Sequence, residues 1–342
     1  MENRDLGESI VSEAMAHYHL TLNYWKEMLS SRTVADVQAL TMTCVFVRWL
    51  ASPENAWSVT NTVFSVLIDR RYNVRSAKPY DHSSSKEEIL EQELQKRLFY
   101  AVLSLLVKLN GRIGRPMPVK REDYDVEYPE LLNDDLEKAE PGHGPQQCNF
   151  YMTTPMAQEA ELLLEMYSTV FALNPTIDYE QGVTKLEQKI ETFRRGLPAI
   201  INSEALADGT LIGMMNANAL WLQYSSHDIQ IKLHHPALCR SRKPEIISRN
   251  LDICMQSSHK LLETLVKLWE VRSKDATWAV ITDAAAAIFT LLYALWERRD
   301  RTTLADWSEL KAVTETAVPV ISEIATMFGT YFIVFARTAI PD

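Results

Sequence analysis

The sequence predicts an all-α protein, and two observations support this fold class. The chain has 342 residues but only 10 glycines, where average usage would give roughly 24. Hairpin turns and phosphate-binding loops both depend on glycine, so the chain has little material for either. Apolar residues recur at spacings of three and four along most of the chain, which is the pattern of amphipathic helices.

The clearest predicted helix covers about residues 86–110. Leu90, Leu94, Leu98 and Val102 fall on one helical face. Ser85 stands three residues before Glu88, which is the spacing of a capping box at a helix start. This segment therefore has both a start signal and an apolar stripe.

Two later helices also have start signals in the sequence. Thr154 and Pro155 predict an N-cap and a first helical residue, and Asp178 predicts the cap of the next helix. Further helices are expected over residues 8–31, 34–51, 56–69, 211–234, 245–271, 275–298 and 303–335. The last of these is expected to break before Pro319, because proline cannot donate the backbone hydrogen bond of a helix interior.

One long irregular segment interrupts the helical pattern, at residues 111–155. It carries six of the 14 prolines, and loops of this length within compact domains tend to be functional or mobile. The simplest organisation is a single helical domain over residues 1–342. Two helical subdomains, 1–110 and 156–342, are the alternative that the length permits.

Charge and the N-terminal sequence predict where the chain works. The formal net charge of −10 disfavours direct nucleic-acid binding by this chain. Residues 1–12 read MENRDLGESIVS and contain no apolar secretion signal, so we expect a nuclear or cytoplasmic location. The apolar stretch at residues 278–296 contains Asp283, which favours a buried core helix over a membrane span.

The cysteines give no sign of a metal site or of disulfide bonds. Cys44, Cys148, Cys239 and Cys254 are far apart, and none forms the closely spaced pair that a zinc site requires. We expect free thiols and no cofactor.

A short motif ends the helix at residues 86–110. Gly114 can adopt the left-handed cap conformation, and Pro116, after Arg115, prevents the helix from continuing. Arg97 and Arg115 lie close in sequence to the acidic strip that contains Asp123 and Asp125. Because a guanidinium group can hold a carboxylate with two hydrogen bonds, we expect a structural clamp between helix and strip.

The order of these features resembles the middle homology region of fungal zinc-cluster transcription factors. In that family a charged helix with aromatic residues leads to a GRP turn, an acidic strip and a proline. The corresponding residues here are Glu93, Lys96, Arg97, Phe99, Tyr100, Gly114, Arg115, Pro116, Glu122, Asp123, Asp125 and Pro129. Outside this motif, Ala56 and Trp57, the segment 220–236 and the helix at Cys254 also match.

The resemblance implies an all-α regulatory domain that affects transcription by binding a small metabolite or a protein partner. A second copy of the chain is an alternative partner. The family's DNA-binding element is a cluster of six cysteines around two zinc ions, and four cysteines cannot form it. The resemblance therefore implies a regulatory domain without its own DNA-binding module.

Pockets in helical domains form between helices and commonly have aromatic walls with a few polar groups. The candidate ligand-binding residues on this basis are Trp57, Tyr100, Trp221, Tyr224 and His227. They would contact a small-molecule effector or, in an enzyme, a substrate.

The alternative function is an enzyme of fungal secondary metabolism, built on the same scaffold. Asp134, Asp135 and Glu137 form an acidic NDDLE sequence that invites comparison with the motif of terpene cyclases, in which carboxylates hold Mg²⁺ against a prenyl diphosphate. The pattern lacks the last aspartate of that motif, and a second metal-binding cluster is missing. An acidic surface loop is therefore the favoured interpretation of these residues.

Overall fold

A computed structural model of the chain describes residues 2–30, 32–50, 52–81, 83–134, 150–174, 178–197, 214–273 and 275–339. Within these ranges the chain forms 11 α-helices and one short 3-10 turn, Arg121–Asp123, with no strand. The all-α prediction is confirmed. The helices are α1 (Glu2–Asn23), α2 (Trp25–Ser30), α3 (Val34–Val47), α4 (Pro53–Asp69), α5 (Lys86–Arg112), α6 (Thr153–Thr169), α7 (Tyr179–Gly196), α8 (Met214–Arg240), α9 (Pro244–Glu270), α10 (Trp278–Glu297) and α11 (Leu304–Ala339).

The chain divides into two compact units, Met1–Leu197 with Tyr331–Asp342, and Pro198–Thr330. The described part of the irregular segment lies within the first unit, where its 3-10 turn packs against α6. The expectation of a single domain stays a prediction.

Helix α5 forms the centre of the first unit. It packs against α3, α4 and α6, and Phe99, Val102, Leu103 and Leu106 are fully buried. Burying a side chain of this size stabilises a fold by roughly 1.5–3 kcal/mol. The apolar face that the sequence predicts for this helix is therefore the core of the unit.

Two of the three helix starts predicted from capping residues are confirmed, and one is wrong. Ser85 and Glu88 form the predicted capping box, and Asp178 caps α7 by accepting a hydrogen bond from the Glu180 amide. The prediction for α6 was wrong, because the helix begins at Thr153 with Met152 as its N-cap. Thr154 instead donates its hydroxyl to the carbonyl oxygen of Pro129, 3.0 Å away.

The expected helix at residues 8–31 is interrupted at Tyr24, between α1 and α2. The predicted break before Pro319 is absent, because α11 continues through that residue, and α8 likewise contains Pro236. A proline removes one backbone hydrogen bond from a helix but does not end it when the turns on both sides are held.

In the second unit, α8 packs along α9, and α9 packs against α10. Among the described helices, α10 is long and apolar enough to cross a membrane by length and composition alone. Half of its apolar window is buried inside the protein, and its buried Asp283 lies 3.5 Å from the Lys232 ammonium group of α8. These are features of a core helix.

Candidate functional site

The GRP turn ends α5 as a left-handed cap. Gly114 has φ +67°, and the Arg115 amide donates to the Asn110 carbonyl oxygen at 2.9 Å. Apart from Gly114 itself and its two neighbours in the chain, no described atom lies within 4 Å of where a Cβ would stand. The backbone conformation, and not lack of space, therefore favours glycine here.

Trp57 joins α4 to this end of α5. Its indole nitrogen donates to the Asn110 side-chain oxygen at 2.8 Å, and Asn110 in turn donates to the Leu106 carbonyl oxygen. The Arg115 guanidinium group lies 5.4 Å from the centre of the Trp57 ring, within the range of a cation–π contact. Trp57 thus has a structural role in the turn.

After the turn, residues 115–134 run back along the first unit, and their only regular secondary structure is the 3-10 turn Arg121–Asp123. We call these residues the return segment. Its amides at Asp125 and Val126 both donate to the Asn73 carbonyl oxygen. The Tyr100 hydroxyl donates to the Val126 carbonyl oxygen at 3.1 Å. Side chains and loop carbonyls therefore satisfy backbone groups that a helix would satisfy internally.

Glu93 is the main buried anchor of the return segment. Its side chain is 1% exposed and accepts hydrogen bonds from the Tyr80 hydroxyl at 2.9 Å, the Lys96 ammonium group at 2.7 Å and the Glu130 amide at 2.8 Å. A buried carboxylate is tolerated when it is paired and hydrogen-bonded in this way. Burial, reinforced by the negative charge of Glu93, raises the pKa of Tyr80 well above its ordinary value, so Tyr80 stays a donor.

Arg97 is the second anchor, with partners that differ from those expected. Its guanidinium group donates to the Asp134 carboxylate at 2.7 Å and to the Leu132 carbonyl oxygen at 2.5 Å, and it lies 3.9 Å from the Phe150 ring centre. Arg97 therefore clamps the far end of the return segment to α5.

The two carboxylates of the predicted clamp accept hydrogen bonds from backbone amides instead. Asp123 accepts from the Lys120 amide, and Asp125 accepts from the Arg75 amide. Sequence proximity suggested that Arg97 and Arg115 would hold these carboxylates. The partners differ because the return segment passes Arg97 only at residues 132–134.

A tyrosine cluster forms a third contact between α5, the return segment and α6. The Tyr128 hydroxyl donates to the Glu161 carboxylate at 2.6 Å, and Arg121 lies 3.5 Å from the same carboxylate. Burial is the main cause that raises the pKa values of Tyr100, Tyr124 and Tyr128. These hydroxyls remain protonated at neutral pH.

A cavity of about 290 Å³ opens beside the Glu93 anchor. We call it the arginine cavity, because Arg70, Arg71, Arg75 and Lys96 line it, together with Glu127, Glu130 and the rings of Tyr72 and Tyr80. Sequence reasoning missed this cavity. The only available signal was the cluster of arginines in the stretch RRYNVR, residues 70–75, which follows α4.

The five predicted ligand-binding residues are divided between the two units. Trp57 and Tyr100 belong to the first unit, whereas Trp221, Tyr224 and His227 belong to the second. The Trp221 indole donates to the Ser273 hydroxyl at 2.9 Å and its ring packs edge-on against Tyr224. None of the five lines the arginine cavity, and their role in ligand binding stays a prediction.

The acidic NDDLE sequence is only partly described. Asp134 is engaged with Arg97, and Asp135 and Glu137 lie outside the described residues. Within the described ranges, no group of three or more His, Cys, Asp or Glu residues could hold a metal ion. Cys44, Cys239 and Cys254 are free thiols.

Comparison with known proteins identifies similar sequences but no similar structure. Residues 4–198 match the family model described as the fungal specific transcription factor domain. The chain is also similar to Activator of stress genes 1 of Saccharomyces cerevisiae, with 23% identity over 261 residues, covering 74% of this chain and 25% of that protein. The chain thus spans about a quarter of the length of this relative. No solved structure matches the chain.

Proposed function

Because the chain belongs to the fungal specific transcription factor domain family, we propose that it is a regulatory domain that changes transcription by binding a small metabolite or a partner protein. The single observation that carries this proposal is the family match over residues 4–198, which includes α5, the GRP turn and the return segment. The similar yeast protein is named an activator of stress genes, which supports a role in activating transcription.

The organisation of the first unit supports regulation by ligand or partner binding. Several backbone groups of the return segment bond to a few anchor side chains instead of to each other. A bound molecule that competes for one of these side chains would therefore change the stability of the segment. The anchors Glu93 and Arg97 are such points, and Lys96 faces the arginine cavity beside them. We propose that the return segment is the element whose two states such a molecule would shift.

We propose a nuclear location from the family, and that DNA is recognised by another part or partner and not by this chain. The net charge of −10 is unfavourable for phosphate contacts. The Mg²⁺-dependent lyase alternative is not favoured, because Asp134, the described carboxylate of its motif, is hydrogen-bonded to Arg97.

A reporter assay tests the proposed function. The full chain is fused to an unrelated sequence-specific DNA-binding domain and expressed in yeast cells with a reporter gene. The proposal predicts that reporter expression differs from that given by the DNA-binding domain alone, at equal protein abundance. A nuclear, folded fusion that leaves expression unchanged under all growth conditions tried would contradict it.

A further inference from the structure

Arg71 has an unusual backbone conformation at the edge of the arginine cavity. It follows the last turn of α4 with φ +62°, its amide donates to the Ile68 carbonyl oxygen at 2.9 Å, and the Tyr72 amide donates to the Leu67 carbonyl oxygen at 3.0 Å. This is the Schellman ending of a helix, in which glycine normally occupies the left-handed position. A residue with a Cβ is disfavoured there.

Within the part of the chain that the structure describes, the side chain of Arg71 has no partner that would explain its presence. Among the described residues, no carboxylate or carbonyl group accepts a hydrogen bond from its guanidinium group, and the residue is exposed. The other basic groups of the cavity are engaged: Lys96 with Glu93, Arg75 with Glu127 at 3.3 Å, and Arg70 with the carbonyl oxygens of Met28 and Thr33. Arg71 is therefore the surplus positive charge of the cavity.

Two carboxylates, those of Glu127 and Glu130, already line the cavity. Glu127 lies 3.3 Å from the Arg75 guanidinium group and 3.7 Å from the Lys96 ammonium group, and its side chain is 44% exposed. An exposed ion pair of this kind contributes little to stability, so an incoming carboxylate can compete with it at small cost. Tyr72 and Tyr80 offer ring surfaces beside these charges.

We propose that the arginine cavity binds a small organic carboxylate, with the carboxylate group contacting Arg71 and Arg75 and the rest of the molecule lying against Tyr72 and Tyr80. A guanidinium group matches a carboxylate with two parallel hydrogen bonds. A cavity of about 290 Å³ is at the small end of ligand sites and suits a compact molecule. This inference rests on the proposed function, since the carboxylate would be the effector of the regulatory domain.

The second unit contains a matched control for Arg71. Arg272 follows α9 with φ +58°, its amide donates to the Trp269 carbonyl oxygen at 3.1 Å, and the Ser273 amide donates to the Leu268 carbonyl oxygen at 3.0 Å. It has the same helix ending as Arg71 but does not line the arginine cavity. Replacing either arginine with glycine relieves the same backbone strain, so neither variant is expected to unfold the chain.

The test measures the melting temperature of the full chain with succinate, citrate or benzoate, each against sodium chloride at equal ionic strength, and with inorganic phosphate as a separate arm. A ligand that binds only the folded state raises the melting temperature with increasing concentration. We expect at least one carboxylate to raise the melting temperature of the wild type and of Arg272→Gly, but not that of Arg71→Gly. Isothermal titration of that carboxylate should show the same loss of binding.

Three outcomes would overturn the proposal. In the first, no carboxylate raises the melting temperature of the wild type. In the second, a carboxylate raises the melting temperature of Arg71→Gly as much as that of the wild type. In the third, phosphate and none of the carboxylates raises the melting temperature of the wild type, and this increase is lost in Arg71→Gly. The last result would indicate a phosphate site. Because these measurements use purified protein and no reporter gene, carboxylate binding without a reporter effect would contradict only the regulatory function, and a reporter effect without binding only the carboxylate site.

Discussion

The return segment of the first unit and the α8–α9 pair of the second are held in different ways. Helices α8 and α9 pack together through faces that include Leu233, Leu251 and Leu261 and the buried His234–Asn250 pair, whose polar side-chain atoms are 2.7 Å apart. Apart from the bond that Pro236 removes from α8, the backbone hydrogen bonds of the two helices lie within each helix. The return segment has no such ladder and depends on Glu93, Arg97 and Tyr100 for several of its hydrogen bonds. Irregular backbone next to a core therefore takes several of its hydrogen bonds from side chains, whereas the backbones of the two packed helices bond mostly within each helix.

The largest expected effect comes from removing the anchor Glu93. The Glu93→Ala variant leaves the Lys96 ammonium group, the Tyr80 hydroxyl and the Glu130 amide without their acceptor, and breaking a buried ion pair costs about 3–5 kcal/mol. In the second unit, Asp283→Ala should cost less, about 1 kcal/mol, because Lys232 keeps its ion pair with Asp228. Urea unfolding of both variants measures the difference, and equal losses would contradict the comparison.

Next in size is the loss of the Arg97 clamp. Arg97→Ala removes hydrogen bonds from a charged group to Asp134 and Leu132 and should cost about 2 kcal/mol. Limited proteolysis should reveal new cleavage within residues 126–134.

The control is Arg298→Ala in the second unit, where Arg298 bonds to Asp252 and to the Ser248 carbonyl oxygen. Since this arginine joins two helices that hold their own backbones, its loss should open no cleavage site. New cleavage in the control variant but not in Arg97→Ala would contradict the claim that Arg97 holds the return segment in place.

Sequence patterns predicted the helices better than the contacts of the return segment. The capping box at Ser85 and the stripe of α5 are local, and local signals determine where a helix begins and which face is apolar. Glu93 is a helix residue whose partners, Tyr80 and Glu130, come from two different loops. Nothing in residue spacing places such loops beside a helix, which is why the anchor was missed and the partners of Arg97 were wrong.

The helix endings explain a second limit of sequence analysis. Glycine signals a left-handed cap, so Gly114 was predicted as one. Arg71 and Arg272 take the same conformation without any such signal, because arginine is disfavoured there. The left-handed conformation at these two positions can be recognised only from the φ angles of the structure.

Substitutions at the left-handed helix endings should have a smaller effect on the free energy of unfolding. Gly114→Ala should cost about 1 kcal/mol, since the left-handed conformation becomes strained although there is space for the Cβ. Arg272→Gly should gain about 1 kcal/mol at the end of α9. Thermal or urea unfolding of both variants gives the two values, and a stabilised Gly114→Ala would show that the turn is not left-handed.

The last effect appears only at alkaline pH and concerns the buried thiols, one in each unit. Burial raises the pKa values of Cys44 and Cys254 to about 12 from an ordinary value of 9.0. The unfolded chain releases these protons above pH 9, while the folded chain keeps them until about pH 12. The free energy of unfolding should therefore be unaffected below pH 9 and fall as the pH rises between these values.

Urea unfolding across this pH range checks the thiol contribution. The decline should be shallower in Cys44→Ala and in Cys254→Ala than in the wild type, with Cys239→Ala, at an exposed thiol, as the control. A decline of unchanged steepness in both buried variants would show that the thiols do not contribute.

Hydrogen exchange of the return-segment amides tests most directly whether side-chain anchors hold this loop. The amides of Asp125, Val126 and Glu130 have acceptors in the folded chain, the Asn73 carbonyl oxygen for the first two and the Glu93 carboxylate for the third. We predict that all three are protected in the wild type and that the Glu130 amide loses protection in Glu93→Gln, while amides within α8 and α9 keep theirs. A return segment that exchanges in the wild type as fast as an unfolded chain would contradict the account.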